Sequence, residues 1–351
     1  MLNVLLVTGV VLIVASWVHV IRHEAWWIRA FDFPHLQLVV PLAVVTVAYA
    51  VLANFTQTGD YVFVAAAGGT LGYHLYRIRP YTVFHKHQVL EAADNAAAGD
   101  SLRILIFNVF MENRQCDDCV EMVQRINPDV VLAVETDEYW HEKLRPLEQA
   151  YPYRVAHPLA NTYGLLFYSQ LPITQHRINF FVEDDIPSLH AHLRLASGRT
   201  IEFYGVHPRP PAPAENDRST ERDVELIQVG RRAKAAPHPV IVAGDLNDVA
   251  WSHTTRLFQR ISGLLDPRIG RGMFNTFHAK HWLLRWPLDH VFVSHHFKLV
   301  DMRRLPNCGS DHFPIYVHLR YAPDPESKEN RLEAEAEDYA EAREKEMKLY
   351  E

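Results

Sequence analysis

Six apolar runs of the chain are bordered at one end by a side chain that can hold a metal ion or move a proton. These are Asn108, Glu135, His207, Asp245 with Asn247, Asp289, and Asp311 with His312. Carboxylate and carboxamide oxygens are the donors a hard divalent cation prefers, and imidazole is the side chain that exchanges a proton near neutral pH. In-line attack of water at phosphorus needs three things: charge neutralised on the equatorial oxygens, a deprotonated water and a stabilised leaving oxygen. A gathered set of these residues would meet all three. Any one of them has a plainer explanation, because strand ends are wet and Asp or Asn there often closes a turn. Six positions with one placement and one chemical theme favour a site.

The elements that must position these groups are legible as patterns. Buried-strand runs occupy Leu102–Phe107, Asp129–Val134, Gly164–Tyr168, Leu189–Leu195, Ile201–Val206, Val240–Ala243, Leu288–Val293 and Phe313–Leu319. Helical patterns occupy Asp118–Ile126 and Glu215–Lys234. Strands mixed with helices predict an α/β domain with helices packed outside the sheets. Side chains at strand ends and in the loops beyond them are held by a rigid scaffold, where functional groups concentrate.

The ordered segments Phe107-Asn108-Val109, Val134-Glu135-Thr136, Gly205-Val206-His207-Pro208, Ala243-Gly244-Asp245-Leu246-Asn247-Asp248, Pro287-Leu288-Asp289-His290-Val291 and Gly309-Ser310-Asp311-His312-Phe313-Pro314 carry a resemblance. Together they resemble the endonuclease/exonuclease/phosphatase superfamily, which includes pancreatic-type DNases, abasic-site endonucleases, neutral sphingomyelinases and inositol-polyphosphate phosphatases. The GDxN and SDHxP pieces are the more specific ones. The resemblance implies a four-layered α/β sandwich, two packed mixed sheets flanked by helices, as a catalytic domain over residues 101–321. It implies Mg²⁺ as cofactor, with Mn²⁺ the alternative, and hydrolysis of phosphodiester bonds. Glu135 would be the main metal ligand, assisted by Asn108 through its amide oxygen or a metal-bound water, with Asp311 close to the same ion. His312 would meet the scissile phosphate as base or as cationic stabiliser, and Asp289 would fix its tautomer. Asp245 would help activate the attacking water, Asn247 would orient it, and His207 would bind phosphate or assist the leaving group. Either Asp245 or His312 would be the base. Arg209, Trp251 and Asn275 flank the motifs and are candidates for the substrate rim.

Charge narrows the substrate. Residues 101–320 hold 25 Lys and Arg against 25 Asp and Glu, so the net charge of -7 lies elsewhere. A neutral domain lacks the basic footprint of a protein that grips long duplex DNA by its phosphates. Arg268 with Arg271, and Arg303 with Arg304, are the local basic candidates. The substrate classes are a nucleic acid, a phospholipid or sphingolipid head group, or an inositol phosphate, the last of which would want more Lys and Arg near the site; an inactive membrane scaffold is the reading of another kind.

The first 87 residues read as a membrane anchor with spans near 2–21, 36–55 and 61–78. Leu2–Ile21, Phe33–Gly59 and Tyr61–Tyr76 contain no Asp, Glu, Lys or Arg, and the first two are long enough to cross about 30 Å of hydrocarbon. No basic residue precedes the first run, which argues against a cleaved signal peptide. Arg22 and Arg29 follow the first run, and Arg77, Arg79 and Lys86 follow the third. With three spans the positive-inside rule makes this a multi-pass protein of bacterial inner-membrane type with a cytoplasmic catalytic domain; with two spans the rule contradicts itself, and a periplasmic domain is the alternative. Residues 88–100 read as a linker. The tail, 322–351, follows Pro323 and Pro325 and is acidic, a lone solvated helix or disordered. Cys116-Asp-Asp-Cys119 has CxxC spacing, but with only Cys308 besides it reads as ordinary cysteines.

Overall fold

The computed structural model describes residues 1–92 and 100–350. The apolar N-terminal segment folds as α1 (Leu2–Trp17), a short α2 (Trp26–Arg29), α3 (His35–Leu52) and α4 (Thr58–Ile78). Among the described residues, two stretches, Leu2–Val20 and His35–Leu52, are long and apolar enough to cross a membrane. The third expected span falls within α4, which is as long but fails that measure: Asp60, His74, Arg77 and four glycines dilute its apolar content. α1, α3 and α4 pack against one another.

Among the described residues eleven strands follow, in two sheets. The first has the order β10 (Phe297–Arg304), β11 (Ile315–Tyr321), β1 (Ser101–Asn108), β2 (Val130–Val134), β4 (Leu165–Ser169), β3 (Tyr153–His157). The second has the order β5 (Ile173–Asn179), β6 (Ser188–Arg194), β7 (Thr200–Val206), β8 (Val240–Asp245), β9 (Asp289–Val293). Only β1 with β2 and β7 with β8 run parallel, and the remaining pairs are antiparallel, so both sheets are mixed.

Alternate side chains of each sheet divide between a shared layer and an outer one, which makes three apolar layers. Ile104, Ile106 and Leu132 of the first sheet meet Ala191, Phe203 and Ala243 of the second in the layer between the sheets. The opposite face of the first sheet, Leu105, Phe107 and Val131, is covered by α5 (Cys116–Ile126) and α6 (Glu138–Leu144) through Val123 and Trp140. The opposite face of the second, Tyr204, Val206 and Val242, is covered by α7 (Thr220–Ala235) and α8 (His253–Ser262) through Leu226 and Phe258. The result is the four-layered sandwich the motifs imply.

Two segments depart from expectation. Of the linker, residues 93–99 lie outside the described residues, but Gln88–Ala92 is built into the domain. Val89 lies in the inter-sheet core, Ala92 N and Leu299 N pair with Leu299 O and Leu90 O, and Gln88 accepts from Asp266 N. The tail is helical, but it is docked on the domain and does not stand alone. After α9 (Pro325–Glu329), α10 (Ala336–Met347) seats Ala342 against Ile227, Leu257 and Ile261, and Lys345 reaches buried Asp223 at 2.9 Å. Its acidic face is thus a set of partners for α7 and α8: Glu346 pairs with Arg231, Asp338 with Arg260 and Glu341 with His253.

Candidate active site

The topology brings all six polar strand ends to one edge of the sandwich. In the first sheet, parallel β1 and β2 end at Asn108 and Glu135, and antiparallel β11 begins just after Asp311-His312. In the second, parallel β7 and β8 end at His207 and Asp245, and antiparallel β9 begins at Asp289, which pairs in register with Asp245. A strand that runs the other way contributes from its start what its neighbours contribute from their ends.

The side chains close the gap between the sheets. Asn108 donates from Nδ2 to Glu135 Oε1 at 2.6 Å and to Asp245 Oδ2 at 3.1 Å. His312 donates from Nδ1 to Asp289 Oδ2 at 2.8 Å, and its Nε2 lies 3.5 Å from Asp245 Oδ2. His207 Nε2 lies 4.0 Å from the same Asp245 oxygen. Asp245 is therefore the hub that Asn108, His207 and His312 all approach. Asn247 sits one step further out: its backbone N–H donates to Asp245 Oδ1 at 2.9 Å and its Nδ2 to Pro208 O at 3.0 Å. Asn108, His207, Asp245, Asp289 and His312 are all buried, while Glu135, Asn247 and Asp311 are half-buried and form the mouth.

Local backbone holds these groups in place. Glu135 and Asn247 take left-handed φ values of 59° and 52°, uncommon for residues other than glycine. Such strain persists where the surroundings over-determine it, typically at sites. Gly244 has φ 144°, and a Cβ there would come within 1.9 Å of Val206 O, so the turn into Asp245 tolerates no side chain. Ser310 Oγ donates to Asn108 O at 2.8 Å and accepts from His312 N at 2.9 Å, which pins the His312 loop to the end of β1. Thr276 Oγ1 accepts from Asp289 N at 3.1 Å.

Burial pushes the Glu135 carboxyl up to about 7, with Asn108 opposing and Asp245 and Asp311 adding to the rise. Burial alone would lower His312, but the Asp289 and Asp245 carboxylates outweigh it and hold the imidazole up at about 10. Burial lowers His207, whose Nδ1 is enclosed without a partner. Glu135 and Asp311 have no Lys or Arg ion pair among the described residues, and the cations near Asp245 and Asp289 are histidines alone. Four converging carboxyl groups with so little positive charge, and donors that are almost all oxygen, fit a divalent cation. Asp245, Asp289 and His312 offer ligand atoms that all lie within 4.8 Å of one another. The short bond between His312 and Asp289 engages two of these, which leaves the Glu135 side of the cluster the freer to take a metal.

Several expectations need correction. The Asn108 amide oxygen accepts from Phe110 N at 2.9 Å, so the amide nitrogen, not the oxygen, faces the carboxylates. Trp251 is not on a rim: it is buried against Tyr81, and its Nε1 donates to Asp32 O at 2.8 Å. Arg209 is not a free cation, being tied to Glu183 at 3.3 Å and Asp185 at 3.2 Å. Arg268 contributes to no basic patch, because it is fully buried on Asp266 at 2.8 Å. Asn275 lies half-buried beside Thr276, its Oδ1 enclosed and unpartnered. Tyr163, which no motif flagged, places its ring 5.3 Å from that of His207 and bonds Glu215 at 2.8 Å. Phe277 packs 5.0 Å from the His312 ring and forms one wall.

The chain matches the Endonuclease/Exonuclease/phosphatase family over residues 105–312. No curated protein matches it. Among solved structures, D. rerio TDP2 complexed with single strand DNA product shares 19% identity at a TM-score of 0.52, covering 63% of this chain and 99% of that one. An endonuclease/exonuclease/phosphatase family protein from Bacteroides thetaiotaomicron shares 17% at 0.52, covering 63% and 98%. One from Beutenbergia cavernae shares 15% at 0.51, covering 64% and 72%. At these identities the likeness is one of fold.

Proposed function

The chain belongs to the endonuclease/exonuclease/phosphatase family, and on that premise we propose that it hydrolyses phosphodiester bonds with the help of Mg²⁺, Mn²⁺ being the alternative ion. The observation that carries the reading is His312 held between two carboxylates, Asp289 at 2.8 Å and Asp245 at 3.5 Å, beside the Asn108–Glu135 pair. Glu135 holds the metal, with Asp311 near it and Asn108 positioning the Glu135 carboxylate. The bound ion supplies charge neutralisation at the phosphate oxygens.

The protein's own residues do the rest. His312 carries a proton on Nδ1 into Asp289, which fixes the ring so that Nε2 points at Asp245 and the open site. An imidazole flanked by two carboxylates keeps its charge, so His312 stabilises the phosphate. Asp245 is then the group that takes the proton of the attacking water, with Asn247 locked to it. His207, buried and bearing a neutral ring, closes the opposite side, where it meets the phosphate or the leaving oxygen.

Nucleic acid is one substrate class, supported by the single-strand DNA product in the TDP2 neighbour. A lipid head group is the other, supported by the two apolar helices. These helices attach the enzyme to a bilayer; only with α4 as a third crossing do Arg22, Arg29, Arg77 and Arg79 fall on one side and favour a cytoplasmic site, a periplasmic site being the alternative. The test is turnover by the full chain in detergent, with Mg²⁺ or with a chelator, on an aryl phosphodiester, single-stranded DNA and phospholipid vesicles. Metal-dependent cleavage that disappears in Glu135→Ala and His312→Ala supports the reading. No turnover of any substrate, with no Mg²⁺ binding by calorimetry, leaves an inactive scaffold as the better description.

A further inference from the structure

The wall of the site next to His312 belongs to a hairpin whose tip is apolar and exposed. Phe277 pairs with Trp286 through backbone hydrogen bonds in both directions, and His278 N donates to Leu284 O at 2.9 Å. At its root the hairpin is part of the site: Phe277 bridges to His312 and packs on its ring, and Ala279 N donates to Asp311 O at 2.6 Å. At its tip Trp282, Leu283 and Leu284 are 75%, 59% and 47% exposed. Three adjacent large apolar side chains in water are costly unless something covers them.

The hairpin's neighbours indicate what does. Trp286, at the root, packs edge-on against Phe33, with ring centroids 5.6 Å apart. Leu283, at the tip, accepts through its carbonyl from Gln37 Nε2 at 2.9 Å. Phe33 lies just before α3 and Gln37 within its first turn. From root to tip, therefore, the hairpin runs alongside α3 in the direction in which that apolar helix leaves the domain. Lys280, just before the triplet, is exposed and carries the charge that an anionic lipid surface attracts, while Arg285 turns back to donate to Ala279 O at 3.2 Å. Val83 and Phe84, which follow α4 where it returns to the domain, are exposed as well.

We propose that the 277–286 hairpin is a bilayer-contact element that dips Trp282, Leu283 and Leu284 into the lipid interface, and that the site beside its root thereby takes a phosphodiester carried by a lipid of that surface. This rests on the hydrolase reading for the chemistry and on α3 for the direction. It is a surface built into the catalytic domain itself, apart from the helices that anchor the chain. The root of the hairpin is fixed to the catalytic loop by two backbone contacts, so a tip seated in lipid holds the mouth of the site at that surface.

The test uses the full chain reconstituted in vesicles of phosphatidylcholine with phosphatidylglycerol, and in vesicles containing sphingomyelin. An environment-sensitive fluorophore attached through Trp282→Cys is expected to emit in the blue and to be quenched by lipids brominated on the acyl chain. The triple variant Trp282→Ser/Leu283→Ser/Leu284→Ser is expected to lose about tenfold or more in lipid hydrolysis, the loss of interfacial seating, while keeping its rate on a soluble aryl phosphodiester. The vesicle arm that is cleaved separates a glycerol-based from a sphingoid lipid. A label that stays water-exposed and unquenched overturns the proposal. So does a triple variant that falls equally on both substrates, or a preference for single-stranded DNA that the variant leaves unchanged. If the wild type cleaves nothing, the hydrolase reading fails by itself, and the quenching still decides whether the hairpin is in lipid.

Discussion

His312 Nδ1 lies 2.8 Å from Asp289 Oδ2, and the two residues come from different sheets: one from the loop before β11, the other from the first position of β9. The bond therefore exists only when the sandwich is fully assembled. Asp289 is buried and raises the proton affinity of His312, which stands at about 10 although burial opposes the charge. Asp289→Asn removes the main source of that rise. The variant is expected to lose about 10²–10³-fold in kcat, the range for a lost electrostatic stabiliser. The sign of the pH effect follows from the protonated ring being the working form. Activity falls as pH rises through the His312 pKa, and the descending limb moves to lower pH in the variant. A kcat profile with an unmoved alkaline limb would mean that Asp289 is only packing.

Glu135 gives a second pH dependence, seen in binding. Burial and the neighbouring carboxylates lift its carboxyl to about 7 in the metal-free protein. A ligand must be deprotonated to hold a cation, so metal binding expels this proton. Above pH 7 the apparent affinity should level off, and below it the affinity should fall by up to tenfold per pH unit, about 1.4 kcal/mol each. Calorimetry in buffers of different ionisation enthalpy would show about one proton released per ion at pH 6 and almost none at pH 8. Glu135→Gln should abolish the proton release together with most of the affinity. Equal proton release in the variant would assign the ligand role elsewhere in the cluster.

Most of this site is legible in the sequence because its residues close apolar runs, and the strands that carry them are buried on both faces and so read as continuous hydrophobic sequence. Asn108, Glu135, His207 and Asp245 follow the ends of parallel strands, and Asp289 and His312 stand at or before the starts of antiparallel ones, so the strand directions bring all six to one edge. The strands that escape, β3, β5 and β10, are those without such runs, and β3 buries little beyond Val155. β5 is largely exposed and polar, and β10 mixes Lys298, Asp301, Arg303 and Arg304 with its apolar face. α10 reads as a solvated helix because its charges hide the one position, Ala342, that packs. Trp251 and Arg209 depart from the rim for a related reason: adjacency to a motif says nothing about which way a side chain turns. The 277–286 hairpin leaves only an apolar triplet as a trace, which is shorter than any helix or strand pattern.

Gly244 separates space from chemistry. Its positive φ, and the 1.9 Å approach to Val206 O that a Cβ at this position would make, mean that any side chain must push β7 and β8 apart at the hub residue Asp245. Gly244→Ala is expected to cost several kcal/mol: about 1–3 from the backbone conformation, plus the clash. Thermal unfolding monitored by near-ultraviolet circular dichroism should show a clear fall in Tm, with loss of metal binding at temperatures where the rest of the domain is still folded. An unchanged Tm would contradict the register that pairs Val206 with Gly244.

The contact between α10 and the domain can be tested through Lys345 and Asp223. Asp223 is buried, and although burial opposes its charge, Lys345 and Arg222 hold its carboxyl well below the usual range. Lys345 reaches it at 2.9 Å, and Arg222 bonds the other oxygen at 2.9 Å. A depressed carboxyl pKa contributes stability above the unfolded value, about 3.9, and that contribution disappears as pH falls through the folded value. Lys345→Met removes one charged partner while keeping the length of the stem, so the expected loss is about 1.5–3 kcal/mol, that of a hydrogen bond to a charged group. The difference in stability between wild type and variant should be constant from pH 8 to about pH 5 and shrink below about pH 4, where the carboxyl of the unfolded chain is protonated. Urea unfolding of the full chain in detergent across that range would measure it. A difference that vanishes already at neutral pH would mean that α10 is loosely attached and that Arg222 alone compensates Asp223.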